Sequence, residues 1–266
     1  LRFRAGEVCR TMTPQDCSAC ISASAGPLQK SVTAIAVNGY RNASARAFRS
    51  QKTIFVSEFL RHQFLRAVPG ADLSRTRVIH NFIDGARLAR HAENAGGVIL
   101  GQVMLAGRID AGKGFAEFLS EAAPRLPPHV QLLIVGDGPE RGTLAALWSN
   151  GRVRFLGWKE YGDAIALAAR SHACVVPSVC EEACSTTVLE ALALGKPCLA
   201  LARGGTPELS AYQRYPGQLQ LGASMRELVG QLLLQLARDP VETEPGPPFG
   251  ADCHLAIPKL LDFYAA

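Results

Sequence analysis

Two acids, Glu182 and Glu190, stand eight residues apart in the stretch 177–197, with Ser185, Thr186 and Thr187 between them. Helical periodicity predicts a helix over 187–194, which puts the hydroxyl residues at its start, and Thr187-x-x-Glu190 has capping-box spacing. Two uses of these residues compete. In one, Glu190 caps the helix while Glu181 and Glu182 are solvated loop acids. In the other, the helix start presents free N–H groups and a positive dipole end to an anion such as a diphosphate. Carboxylates are repelled by that anion, so they accept hydrogen bonds from hydroxyls on either side of it. Glu190 then points towards a ribose and Glu182 towards a sugar.

Two upstream cations suit the second use. Arg108 and Lys113 flank a Gly-containing turn over 107–114, where both side chains can face one anion while backbone amides approach it. The turn is not a P-loop, because G-x-x-x-x-G-K-[ST] is absent. A second Gly-rich turn, 135–142, places its third glycine one residue late for a dinucleotide fingerprint, and Pro139 removes an amide there, so it reads as a structural turn.

Regular elements must position these turns. From residue 98 onward, short apolar runs alternate with helical patterns. Strands are expected over 103–106, 131–135, 153–156, 174–176 and 198–201, with a further one over 219–221. Helices are expected over 115–126, 140–148, 161–169, 187–194 and 225–237. This rhythm predicts a parallel sheet covered on both faces, whose ligands bind at the carboxyl ends of the strands. Earlier in the chain, strands are expected over 53–56 and 77–80, and Ser57 caps a helix that follows it. A short helix is expected over 43–48, a polar linker over 85–97, a Pro- and Gly-rich loop over 238–252, and a last helix over 255–264.

The 266 residues are 48% hydrophobic and 19% charged, the balance of an ordinary globular protein. The net charge of +5 favours an anionic small molecule or an acidic membrane surface. It is weak evidence for nucleic acid, and no nucleic-acid partner is expected because no Lys/Arg run is interleaved with aromatics. No apolar stretch has the length of a membrane span, and no signal peptide is visible. Of eight cysteines, Cys174, Cys180, Cys184, Cys198 and Cys253 read as buried free thiols suited to a reducing cytosol. Cys9, Cys17 and Cys20 cluster. A zinc site there needs a fourth ligand from as far away as His62 or His80.

With these residues in view, the run PSVCEEACSTTVLEALALGKPCLA resembles the signature of retaining glycosyltransferases of family 4 (group 1), close to P-S-x-x-E-E-P-F-G-x-x-x-L-E-A-M-A-x-G-x-P-V. LAGRIDAGKGFAEFL is similar to that family's G-R-x-x-x-x-K-G loop. LLIVGDGPER, VRFLGW, the Gly204-Gly205-Thr-Pro-Glu208 run and VSEFLRHQFL…VIHNFID follow further family landmarks in order. One departure is Ala183-Cys184-Ser185, where the family has Pro-Phe-Gly.

The resemblance implies an α/β, GT-B type fold with a complete C-terminal Rossmann-like domain over 98–240. A partial N-terminal, acceptor-side Rossmann-like domain would occupy 1–84, the linker 85–97, and a C-terminal helix 253–266. It implies sugar transfer from a nucleotide-diphosphate sugar to a glycan or glycolipid hydroxyl with retention, in a cytoplasmic protein with optional peripheral contact at the inner membrane face. It implies roles for Glu182, Arg108 and Lys113 in the reaction, and for Glu190, Thr186, Thr187, Gly157 and Gly107 in holding the nucleotide. No metal and no separate cofactor are required by these motifs. Because the chain opens at Leu1 without a Gly-rich first unit, a fragment of low activity is expected. Rival readings are a glycoside hydrolase using the two glutamates, which leaves Arg108 and Lys113 unused, a nucleotide-sugar epimerase of the same architecture, and a donor-binding remnant.

Overall fold

The computed structural model describes residues 3–4, 7–8, 13–22, 24, 26–49, 51–68, 70–93, 95–240 and 249–265. The chain divides into two compact units, Leu1–Ile79 and His80–Ala266.

In the first unit, β1 (Phe3–Arg4) and β2 (Glu7–Val8) pair antiparallel. Helix α1 (Pro14–Ile21) is capped by the Thr13 hydroxyl. The short helix expected over 43–48 is the end of a longer one, α2 (Pro27–Arg49). Strand β3 (Thr53–Phe55) pairs in parallel with β4 (Thr76–Val78), and α3 (Glu58–Ala67) lies between them in sequence. Ser57 caps α3 as its sequence position predicts, its hydroxyl accepting from the Leu60 amide.

The second unit begins by correcting the predicted linker. Residues 85–93 form helix α4 (Gly85–Glu93). Asp84 accepts from the Arg87 amide at its start, and Leu88 is buried while most of its neighbours are exposed. A single apolar anchor and caps from Asp84 and Asp252 suffice here because the helix packs against the later helix Tyr161–Arg170, so its polar composition misleads. The unit continues through β5 (Ile99–Ala106), α5 (Phe115–Ala122), β6 (Gln131–Val135), α6 (Arg141–Trp148), β7 (Val153–Gly157) and α7 (Tyr161–Arg170). It then runs through β8 (Ser171–Val176), α8 (Thr186–Ala193), β9 (Cys198–Leu201), a 3-10 stretch Thr206–Tyr212, β10 (Leu219–Gly222), α9 (Met225–Leu236) and α10 (Cys253–Ala265). The loop expected over 238–252 falls mostly outside the described residues, and so does Cys9.

The six strands β5–β10 form one parallel sheet in the order β10-β9-β8-β5-β6-β7. Alternation along each strand sorts the core into two layers. Val103 and Leu105 join Phe118, Leu119, Leu228 and Leu232 on one face. Met104 and Cys174 meet Ile165, Ala168 and Ala191 of α7 and α8 on the other. The chain winds outward from β5 through β6 and β7, then returns to lay β8 on the opposite side of β5. That reversal places a crevice beyond the carboxyl ends of β5 and β8, where open sheets of this type bind ligands.

Candidate functional site

The loops that leave β5 and β8 therefore carry the candidate site. They are packed together through backbone. Gly114 has φ 68°, and a Cβ there would collide with the Pro177 carbonyl. The Cys180 amide donates to the Gly112 carbonyl at 3.0 Å. The loop after β9 closes in the same way: Gly204, φ 56°, leaves no room for a Cβ beside the Glu182 backbone, and the Gly205 amide donates to the Glu182 carbonyl at 2.7 Å. The Gly204 amide also donates to the Glu181 carboxylate. Glu181 is thus a structural acceptor and not a solvated acid.

These approaches deliver Lys113 and Glu182 to one point. The Lys113 Nζ donates to Glu182 Oε1 at 2.6 Å, and the Glu182 side chain is 15% exposed. The Ser178 hydroxyl donates to the same oxygen at 2.6 Å. Arg108 is not part of this contact. Its side chain is 72% exposed and pairs with Asp110 at 3.2 Å, held away from Glu182 by a partner within its own turn.

Helix α8 begins one residue earlier than expected, with Ser185 as N-cap and Thr186 and Thr187 in its first turn. The capping-box reading is corrected: Ser185 makes no side-chain cap, and Glu190 lies in the body of the helix. The first-turn amides are therefore left for another acceptor. Glu190 instead borders a cavity of about 50 Å³ with Thr187, Tyr161, Met104 and Cys174. Burial pushes its carboxyl up to about 7. The Tyr161 hydroxyl is raised too, by burial first and by Glu190 second, with Arg87 opposing. The Tyr161 ring is fixed from α4, with the Arg87 guanidinium 4.8 Å from its centroid and the His91 ring edge-on at 5.7 Å. Sequence reasoning missed Tyr161, since nothing in the pattern pairs residue 161 with a glutamate on α8.

Gly107 and Gly157 terminate β5 and β7 at the same edge. The Gly107 amide donates to the Val135 carbonyl at 3.0 Å, and the Gly157 carbonyl accepts from Gly136 at 2.9 Å. On the other side, Asn81 Nδ2 donates to the Cys184 carbonyl at 2.8 Å. His80 bonds Tyr212 at 2.8 Å and Glu208 at 3.0 Å. Of the five cysteines read as buried, Cys174, Cys184 and Cys198 are so, while Cys180 and Cys253 are half-buried. The Cys17–Cys20 pair stands on α1 in the first unit. Among the described residues, the one cluster with metal-ligand types is Asp252, Cys253 and His254. The Asp252 oxygens there are already engaged by the Gly85 and His254 amides.

A doubly wound parallel sheet with these loops at its switch point is a Rossmann-like α/β domain, the unit from which GT-B folds are built. Residues 101–223 match the model of the family described as Glycosyl transferases group 1. It is 35% identical over 104 residues to N-acetyl-alpha-D-glucosaminyl L-malate synthase of Bacillus anthracis, across 38% of this chain and 25% of that protein. Among solved structures it shares its fold with Anabaena HepE in complex with UDP-glucose, at TM-score 0.58 and 23% identity, over 74% of this chain and 57% of that one. Sucrose-phosphate synthase from Thermosynechococcus elongatus gives TM-score 0.59 and 24% identity, over 76% and 53%. The chain thus spans a quarter of the curated relative and little more than half of these structures. Among the described residues, no helix is long and apolar enough to cross a membrane.

Proposed function

We propose that the second unit is the donor site of a retaining glycosyltransferase that takes a nucleotide-diphosphate sugar and passes the sugar to a glycan or glycolipid hydroxyl. The contact of Lys113 and Ser178 with Glu182, beside an uncapped helix start at the switch point, carries this reading. The amides of Thr186 and Thr187 and the Lys113 ammonium would hold the diphosphate, with Arg108 swinging in from its exposed position. These cations and the helix dipole can balance the leaving charge without a metal. Glu182 would orient the sugar hydroxyls. Glu190 would accept from the ribose, and Gly107 and Gly157 would let the backbone approach the nucleotide.

In the reaction the C1–O bond to the diphosphate breaks and its electron pair leaves on the phosphate oxygen. The acceptor oxygen bonds to C1 on the same face and its proton passes to the departing diphosphate. HepE, which shares the fold, was solved with UDP-glucose, so that compound is the first probe. We expect calorimetric saturation by UDP-glucose, ADP-glucose or GDP-mannose, and loss of that binding in Lys113→Ala. The reaction itself is read by NMR of the product anomer with a glycan acceptor. Release of free sugar without nucleotide binding would point to hydrolysis and refute the proposal, and a new sugar epimer formed without acceptor would replace it with epimerisation.

A further inference from the structure

One buried polar group at this site touches Glu182 yet binds neither diphosphate nor sugar in the proposed function. Ser178 follows β8 by two residues, and it is 4% exposed. Its hydroxyl donates to Glu182 Oε1, and among the described residues it meets no other partner. Lys113 donates to that same oxygen, while no donor among the described residues reaches Oε2. Both donors thus converge on one carboxylate oxygen, and the other has no donor among the described residues.

This asymmetry matters once a donor is bound. A diphosphate competes with Glu182 for the Lys113 ammonium, since both are anions within reach of one flexible cation. When Lys113 turns to phosphate, Glu182 loses its charged partner. A glutamate without partners samples several rotamers, and a hydroxyl-binding acid in several rotamers binds poorly.

We infer that Ser178 is the positioning residue for Glu182: its hydroxyl stays on Oε1 while Lys113 moves to the diphosphate, so that Oε2 keeps a fixed direction towards the sugar hydroxyls. The inference rests on the nucleotide-sugar reading. It separates two tasks. Lys113 serves the diphosphate, and Ser178 serves recognition of the sugar.

The test compares each nucleoside diphosphate with its sugar conjugate. Calorimetry of the full chain uses UDP and UDP-glucose, ADP and ADP-glucose, and GDP and GDP-mannose, and the pair that the wild type binds best is carried forward. In Ser178→Ala, diphosphate affinity stays within about twofold, because that part of the site is untouched. The extra affinity contributed by the sugar falls by about tenfold, the size expected for one hydrogen bond to a charged group. Ser178→Thr keeps the hydroxyl and retains the wild-type sugar preference. Equal weakening of both ligands in Ser178→Ala would show a role in loop folding alone and overturn the inference, as would an unchanged sugar preference. Loss of sugar preference in Ser178→Thr would overturn it as well, whatever the folding of the alanine variant. A wild type that binds none of the six compounds refutes the donor-site reading itself, and the inference falls with it. A wild type that binds, with Ser178→Ala indistinguishable from it, refutes the inference alone.

Discussion

Replacing Glu190 by glutamine should stabilise the protein in a pH-dependent way while damaging the site. Glu190 borders an apolar-walled cavity, and burial raises its carboxyl from 4.5 to about 7. Below pH 4.5 the proton is bound in both folded and unfolded chains, so the group is nearly neutral in its effect. As pH rises from 4.5 to 7 the unfolded chain releases the proton and the folded chain retains it. The folded state is progressively disfavoured across that window, and the full penalty is present above it. A shift of this size amounts to about 3 kcal/mol, of which roughly 2–3 kcal/mol develops between pH 5 and pH 8. Glutamine fills the same space without titrating. Urea unfolding of wild type and Glu190→Gln at pH 5, 6, 7 and 8 should show the variant gaining about 2–3 kcal/mol relative to wild type across the series. The difference between the two proteins cancels every other titrating group. Nucleotide affinity should rise with pH through 7 in the wild type, as the carboxylate forms and accepts ribose hydroxyls, and should be flat and weaker in the variant. A stability difference that does not change from pH 5 to pH 8 would refute the argument from burial.

Other outcomes follow from the same geometry. Gly114→Ala places a β-carbon against the Pro177 carbonyl at a positive φ. It should lower stability by about 1–3 kcal/mol and weaken donor binding together with it, read by thermal melting and calorimetry. Phe118→Ala removes a ring that is 0% exposed in the core. Urea unfolding should register a loss of about 3–5 kcal/mol. Cys174 is buried with its thiol pushed up to about 12, and the Cys198 thiol is also raised, by burial first and by Cys174 second, whereas Cys20 is exposed. Iodoacetamide at pH 8 should modify Cys20 in the native chain and reach Cys174 and Cys198 only after unfolding. Rapid native labelling of Cys174 or Cys198, followed by mass spectrometry, would contradict the packing of β8 on β9.

The sheet was readable because each of its strands is a compact apolar run such as Leu132–Val135, bounded by glycines or polar residues, and its helices carry apolar periodicity. Lys113 and Glu182 were readable as partners in one site because both follow strand ends, and parallel topology brings strand ends to one edge. Helix α4 was not readable. Its nine residues hold one buried leucine, and what stabilises them is contact with α7 and caps from Asp84 and the distant Asp252, none of which is a local composition signal. The capping use that Thr187-x-x-Glu190 also allowed by spacing is ruled out only by the structure, because the helix starts before Thr187. The position of Arg108 was hidden for a different reason. Asp110, two residues on, competes for the guanidinium, and spacing alone does not decide which anion wins.

The start and the finish of the second unit are clasped. Ile83 exchanges backbone hydrogen bonds with Ala251 and Cys253, and Asp252 caps the first amide of α4. The polypeptide thus returns to its point of departure before the final helix begins, far along the chain from the loops that hold Lys113 and Glu182. Such a closed circuit is portable. It can be spliced onto different companions, or re-cut so that new termini open elsewhere, with the rim that carries Lys113 and Glu182 left in place.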